Sequence, residues 1–164
     1  MSDQINVDGS RPGQLVLASS AAPFLVRSEV VVVQMVADES AMAAFVSECA
    51  AHGTFRLYLL LENIRGSHDA TVLQAYLRIA SQTGAPEADE TYLASIGLFG
   101  LRRASSSDGM QFYADITAHA ALLRSAPIHA DGRIVVSIRP HHAPPQGAPI
   151  SIGRMRICLE IYKQ

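Results

Sequence analysis

The chain has 164 residues, of which 49% are hydrophobic and 17% are charged, a composition typical of one globular domain. This excludes a disordered tail and a large multidomain enzyme. Thirteen Lys and Arg against fifteen Asp and Glu give a formal net charge of -2, which excludes a general attraction to nucleic acid.

The cysteines and the N-terminus bear on the compartment. Cys49 and Cys158 are too few and too far apart for a disulfide framework, which favours a reducing compartment. The first residues lack the basic and apolar regions of a secretory signal, and no apolar run is long enough to cross a bilayer. We therefore expect a cytoplasmic protein with neither a nucleic-acid nor a membrane partner.

Hydrophobic alternation dominates the chain. Residues 1–13 are polar and predict a flexible lead-in, and residues 14–164 predict a single domain. Alternation with a period of two residues predicts strands at 55–61, 133–139 and 154–162, and apolar runs between turn residues predict five more, at 14–18, 28–36, 72–79, 92–101 and 110–116. About eight short strands predict an all-β fold, an antiparallel β-sandwich with one or two short helices.

Two segments predict those helices. Asp38 or Ser40 is expected to cap the first, and Gly53 to stop it. Its apolar face has helical spacing and consists of Met42, Phe45, Val46 and Cys49. The second is expected to open at Thr117 and to cover 118–124.

Histidines are the first candidates for chemistry. The six are His52, His68, His119, His129, His141 and His142. No His-x-x-x-His pair places two imidazoles on one helix face, as a dinuclear copper site of the tyrosinase kind requires. His141 and His142 are candidates for a metal because they are adjacent in the chain. They are weak candidates, because adjacent side chains of an extended segment point in opposite directions. We expect no metal site and no cofactor, unless these two carry copper.

Nucleophilic and acid–base chemistry also lacks a signature. No Gly-x-Ser-x-Gly elbow is present, and the serines at 105–107 precede Asp108-Gly109, which predicts a turn. Asp115 is expected to cap the second helix, as an alternative to Thr117. Cys49 is expected to pack on the apolar face of its helix, and Cys158 to be partly exposed without activation. We therefore predict no catalytic residue and no enzyme activity.

A resemblance begins at about residue 54. The segment 57–66, Leu-Tyr-Leu-Leu-Leu-Glu-Asn-Ile-Arg-Gly, contains a Glu-x-Ile-x-Gly turn. It is followed by motifs at 75–79, 92–100, 112–117, 134–140 and 150–157. In this order they resemble the C-terminal β-sandwich domain of the tyrosinase and polyphenol oxidase family of dinuclear copper oxidases. The resemblance covers residues 54–164.

The resemblance implies an accessory role, because the copper-binding helical domain of that family has no counterpart in this sequence. It implies a non-catalytic module that docks on a separately encoded copper oxidase as a lid, a chaperone or a stabilising subunit. The candidate interaction residues are four arginines expected on an outward face and two aromatic side chains: Arg133, Arg139, Arg154, Arg156, Tyr58 and Phe99.

Three alternatives remain open from the sequence. One is a self-associating β-sandwich, in which the strand at 30–36 is a sheet edge that pairs two copies into a homo-oligomer. Another is a carrier of copper or a small ligand that uses His141 and His142. The third is an enzyme of unrecognised type.

Overall fold

The computed structural model describes residues 13–69, 71–80, 89–126, 134–142, 144 and 148–162. The flexible lead-in expected at 1–13 lies outside the described residues except for Gly13. Arg133 also lies outside them. Nine strands are described: β1 Gln14–Ser20, β2 Phe24–Val26, β3 Val31–Ala37, β4 Thr54–Arg65, β5 Thr71–Ile79, β6 Thr91–Leu98, β7 Met110–Asp115, β8 Ile134–Pro140 and β9 Ile150–Tyr162. The helices are α1 Glu39–Ala50, α2 Leu101–Ala104, a 3-10 turn Thr117–His119 and α3 Ala120–Arg124. The predicted all-β class is confirmed.

The strands form one antiparallel sheet in the order β6-β5-β8-β3-β1-β9-β4-β7, with β2 paired to the start of β9. β3 joins the two layers of the expected sandwich, because its residues 31–34 pair with β8 and its residues 35–37 pair with β1. The end strands β6 and β7 contact each other. The sheet is therefore nearly barrel-shaped.

This topology corrects one expectation. The strand at 30–36 was expected to be a sheet edge, but β3 has β1 on one side and β8 on the other. Hydrophobic pattern identifies a strand and its two faces, whereas edge position depends on pairing between distant segments. β3 is therefore not an end strand of the sheet.

The core follows the alternation of the long strands. β4 and β9 pair from Thr54↔Tyr162 to Arg65↔Ser151. Their inward residues are fully buried: Leu57, Leu59, Leu61, Met155, Ile157 and Leu159. α1 adds Met42 and Phe45, which are also fully buried. Burial of apolar surface of this kind is the main favourable contribution to folding.

The ends of the helices show which caps are used. Asp38 is the residue that caps α1, since its Oδ1 accepts a hydrogen bond from the Ala41 amide at 2.8 Å. The stop differs from expectation, because His52 and not Gly53 has the left-handed backbone, with φ 52°. α2 was not predicted: its first residue ended the predicted strand 92–101. In the structure β6 ends at Leu98, and Gly100, with φ 78°, turns the chain into the helix.

The second predicted helix begins at Thr117, as expected. Asp115 Oδ1 accepts hydrogen bonds from the amide and the hydroxyl of Thr117, at 2.9 Å and 2.6 Å. These bonds, and the nearby charge of Arg56, hold the pKa of Asp115 below its ordinary value. The Thr117 hydroxyl in turn accepts from the Leu57 amide at 3.0 Å, so the turn is fixed to β4. No helix of the described residues combines the length and apolar character needed to cross a membrane.

Candidate functional site

The motif Glu62–Gly66 forms a corner at the end of β4. Its pairing with β7 shifts register between Leu61 and Ile64, and Asn63 there has φ 51°. Arg65 binds three acceptors, each at 2.7 Å: the Asn63 side-chain oxygen and the main-chain carbonyls of Ser105 and Ser107. The segment that carries the family resemblance most clearly is therefore a structural joint between β4 and the turn after α2.

Glu62 lies at the start of this corner, beside two of the predicted interaction residues. Its Oε1 accepts a hydrogen bond from Arg156 Nη2 at 2.7 Å, and its Oε2 lies 3.8 Å from Arg154 Nε. Arg154 is exposed, but Arg156 has only 2% of its surface exposed. The outward side of β9 therefore does not expose Arg156, which is buried where β9 runs between β1 and β4.

The same burial extends along β9. Cys158, expected to be partly exposed, is fully buried, and Leu60, which pairs with Arg156 one step along β4, is buried as well. Both side chains lie on the outer face of the sheet, opposite the core. A strip of buried apolar side chains, Leu60 and Cys158, therefore lies on the outer face, separate from the core.

Tyrosines surround this apolar strip. A cavity of about 290 Å³ is lined by Gln14 of β1, Tyr58 of β4, Tyr113 of β7 and Glu160 of β9. Tyr162, at the end of β9, interacts with Tyr58, which affects its pKa. We call these five residues the tyrosine face. Tyr113 and Tyr162 are 42% and 41% exposed, so aromatic surface is available to solvent.

The tyrosine face has charges of both signs at its rim. The Arg56 guanidinium lies 3.9 Å from the Asp115 carboxylate. Arg154 lies further along β9. The face therefore combines exposed aromatic rings with acidic and basic groups.

A hydrogen bond in which the Tyr162 hydroxyl donates to the Tyr58 oxygen, together with burial and Glu160, raises the pKa of Tyr162 to about 12 from an ordinary value of 10.0. Because the folded pKa is the higher one, Tyr162 contributes stability below pH 10, and this is lost as the pH rises from about 10 to about 12.

In an ultraviolet tyrosinate titration, Tyr58→Phe is expected to bring the Tyr162 transition toward its ordinary pKa. The control Tyr92→Phe is expected to leave that transition unchanged, and the same transition in both variants would contradict the hydrogen bond.

Of the five predicted interaction residues that the structure describes, three lie on this outer face: Tyr58, Arg154 and Arg156. Arg139 lies on the other layer, where it pairs with Glu90 and its guanidinium lies 4.3 Å from the centre of the Tyr76 ring. Phe99 is 69% exposed in the turn between β6 and α2. The predicted set is therefore divided between separate surfaces.

Four members of the tyrosine face are not among the residues predicted from the sequence: Gln14, Tyr113, Glu160 and Tyr162. A signal was present, because both tyrosines occupy positions that alternate with inward apolar residues. A strand position that faces solvent seldom requires an aromatic side chain. Their meeting on one surface depends on the β1-β9-β4-β7 order, which the alternation does not specify.

The two weak metal candidates are in contact. The His141 and His142 rings have centroids 4.4 Å apart, so the expectation that they point in opposite directions is wrong. They follow the last residue of β8, where the strand alternation has ended. Within the described part of the chain, no group of three or more His, Cys, Asp or Glu side chains is placed to hold a metal ion.

A family model described as a domain of unknown function (DUF7868) matches residues 13–160, from the start of β1 into β9. No curated protein sequence matches the chain. A solved structure, latent aurone synthase (polyphenol oxidase) from natural source, is similar at 14% identity and a TM-score of 0.41. That match covers 100% of this chain, which spans 28% of the length of the aurone synthase chain.

Proposed function

The chain belongs to the DUF7868 family, and we propose that it is a non-catalytic accessory module that binds another protein through the tyrosine face. The observation that carries this proposal is the cavity of about 290 Å³ between Tyr58 and Tyr113, beside the apolar strip of Leu60 and Cys158. No cofactor is required for this role.

The composition of the surface supports binding to a protein. Tyrosine and arginine are enriched where protein interfaces derive most of their energy, whereas lysine is depleted there. Tyr113 and Tyr162 present aromatic area, and Tyr58 is half-buried on β4, between β7 and β9. A tyrosine fixed by neighbours loses little side-chain entropy on binding, which favours affinity.

The partner that we propose is the catalytic chain of a dinuclear copper oxidase, which the module would cover, assist in folding or stabilise. Support comes from the sequence motifs that resemble the C-terminal domain of tyrosinases. The Glu62-x-Ile64-x-Gly66 motif among them forms a defined corner through Arg65 and Glu62. A cytoplasmic location is part of the proposal, supported by Cys49 and Cys158, which form no disulfide.

The test uses a tyrosinase-type catalytic chain that lacks its own C-terminal β-sandwich. The two chains are co-expressed, and the complex is measured by size-exclusion chromatography with light scattering and by titration calorimetry. We expect a 1:1 complex, whose Kd rises about tenfold or more in Tyr113→Ala.

Tyr92→Ala is the matched control, because Tyr92 is 47% exposed but lies on β6, in the other layer. It is expected to leave the Kd unchanged. Absence of a complex overturns the proposed partner. A complex weakened equally by both substitutions overturns the assignment to the tyrosine face.

A second candidate function is self-association through the outer face of β3 and the residue before it, where a strip of three valines is 46–56% exposed: Val30, Val32 and Val36. The strip carries no charge, so two copies can pair without electrostatic repulsion. The mass of the chain alone tests this candidate. A dimer that becomes monomeric in Val32→Lys supports it, and a monomer at all concentrations excludes it.

A further inference from the structure

A second cavity, of about 380 Å³, lies where the end of α1 meets the start of β4 and α3. It shares no lining residue with the tyrosine face. The residues that matter are Cys49 from α1, His52 from the turn that follows it, Phe55 from β4, and Arg124 from α3. A volume of this size is sufficient for a small organic ligand.

One wall of this cavity is apolar and firmly held. The Phe55 ring packs edge-to-face on the buried Phe45, with centroids 5.7 Å apart and planes at 88°. Ala120 and Ala121 of α3 also line the cavity, and their short side chains leave it open. A flat apolar or aromatic group can pack against this wall without disturbing the core.

The polar groups of the cavity favour an anion. Arg124 is exposed and makes no ion pair with the described residues, and its charge lowers the pKa of Cys49 against the larger opposing effect of burial. His52 adds a second hydrogen-bond donor. The acidic group nearby is Glu48, which also acts on Cys49. A guanidinium in a small cavity is the typical partner of a carboxylate, which it binds through two parallel hydrogen bonds.

We infer that this cavity binds a small organic monoanion, an aromatic or short aliphatic carboxylate, with its apolar body against Phe55 and its carboxylate on Arg124. His52 donates a further hydrogen bond to the carboxylate. This cavity lies at one end of the barrel, where α1 and α3 meet β4, and ligand binding there does not depend on docking to a second protein.

The chain carries its own reporter for this site. Cys49 lines the cavity and is half-buried, whereas Cys158 is fully buried. A neutral alkylating reagent such as iodoacetamide therefore modifies the folded protein at Cys49 alone, and a bound ligand shields that thiol. Intact mass gives the rate of modification with and without ligand, and reaction at two thiols identifies any unfolded variant.

The probes are 2-naphthoate and its neutral analogue 2-naphthylmethanol. Saturating naphthoate is expected to slow the alkylation of Cys49, and the neutral analogue to need about tenfold more for the same protection. In Arg124→Gln the half-protecting concentration of naphthoate is expected to rise about tenfold, whereas in the control Arg103→Gln, an exposed arginine of α2, it stays unchanged.

NMR during the same titration provides a readout that does not depend on thiol reactivity. It follows the chemical shifts of the backbone amides of residues 49–55 and 120–124. Shifts confined to these segments support the site. Equal protection by the acid and the alcohol, or equal naphthoate affinity in Arg124→Gln and the parent, overturns it. Absence of protection and of shifts with both probes overturns it as well.

Discussion

Glu62→Gln is expected to lower the free energy of unfolding by about 3 kcal/mol, because it removes the carboxylate from a buried guanidinium. Arg156 has 2% of its side chain exposed, and its Nη2 lies 2.7 Å from Glu62 Oε1. A buried charge that loses its counter-charge keeps its desolvation penalty without the compensating attraction. Denaturant unfolding at neutral pH measures the loss.

Arg154→Gln is the matched control for this prediction. It removes the other arginine beside Glu62, but Arg154 has 49% of its side chain exposed and lies 3.8 Å from the carboxylate. Its expected cost is below about 1 kcal/mol. The double variant Glu62→Gln with Arg156→Met is expected to recover most of the lost stability, since neither charge then remains buried. A Glu62→Gln variant as stable as the Arg154→Gln variant would show that the pair contributes little.

Gly109→Ala is expected to cost about 3 kcal/mol, from a strained backbone and a steric clash together. Gly109 has φ +82°, a conformation that alanine adopts only at a cost. A Cβ there would lie 3.1 Å from the Asn63 Cα and 3.2 Å from its carbonyl carbon, which are backbone atoms of β4. The corner at Asn63 is anchored through Arg65, so this backbone cannot move away easily.

Gly100→Ala separates the two contributions. Gly100 has nearly the same φ, +78°, but a Cβ there would meet nothing within 4 Å. Its expected cost is about 1 kcal/mol, the backbone contribution alone. Thermal unfolding of both variants gives the comparison, and equal losses in the two would mean that close packing at Asn63 is unimportant.

Much of the fold could be predicted from the sequence, because β4, β8 and β9 have alternating residues that identify both the strand and its inward face. The Asp38 cap of α1 was predictable for a similar local reason: its side chain bonds to an amide three residues away. β2, with three residues, is too short to show a period, and α2 follows β6 too closely to be separated from it by hydropathy.

The candidate site could be predicted only in part, because it depends on contacts between distant segments. Alternation placed Arg156 on the outer side of β9, but burial there depends on β1 and β4, which lie far away in the chain. The cavity at the barrel end has the same origin, since Cys49 and Arg124 approach only after folding. Composition and spacing carry no information about such encounters.

Site-specific photo-crosslinking tests docking through the tyrosine face most directly. The photoreactive residue p-benzoylphenylalanine replaces Tyr113 in one preparation and Tyr92 in another, and each is irradiated with a tyrosinase-type catalytic chain that lacks its own β-sandwich. We predict a crosslinked heterodimer from position 113 and none from position 92. Crosslinking from position 92 alone, or from neither position, would contradict the proposal.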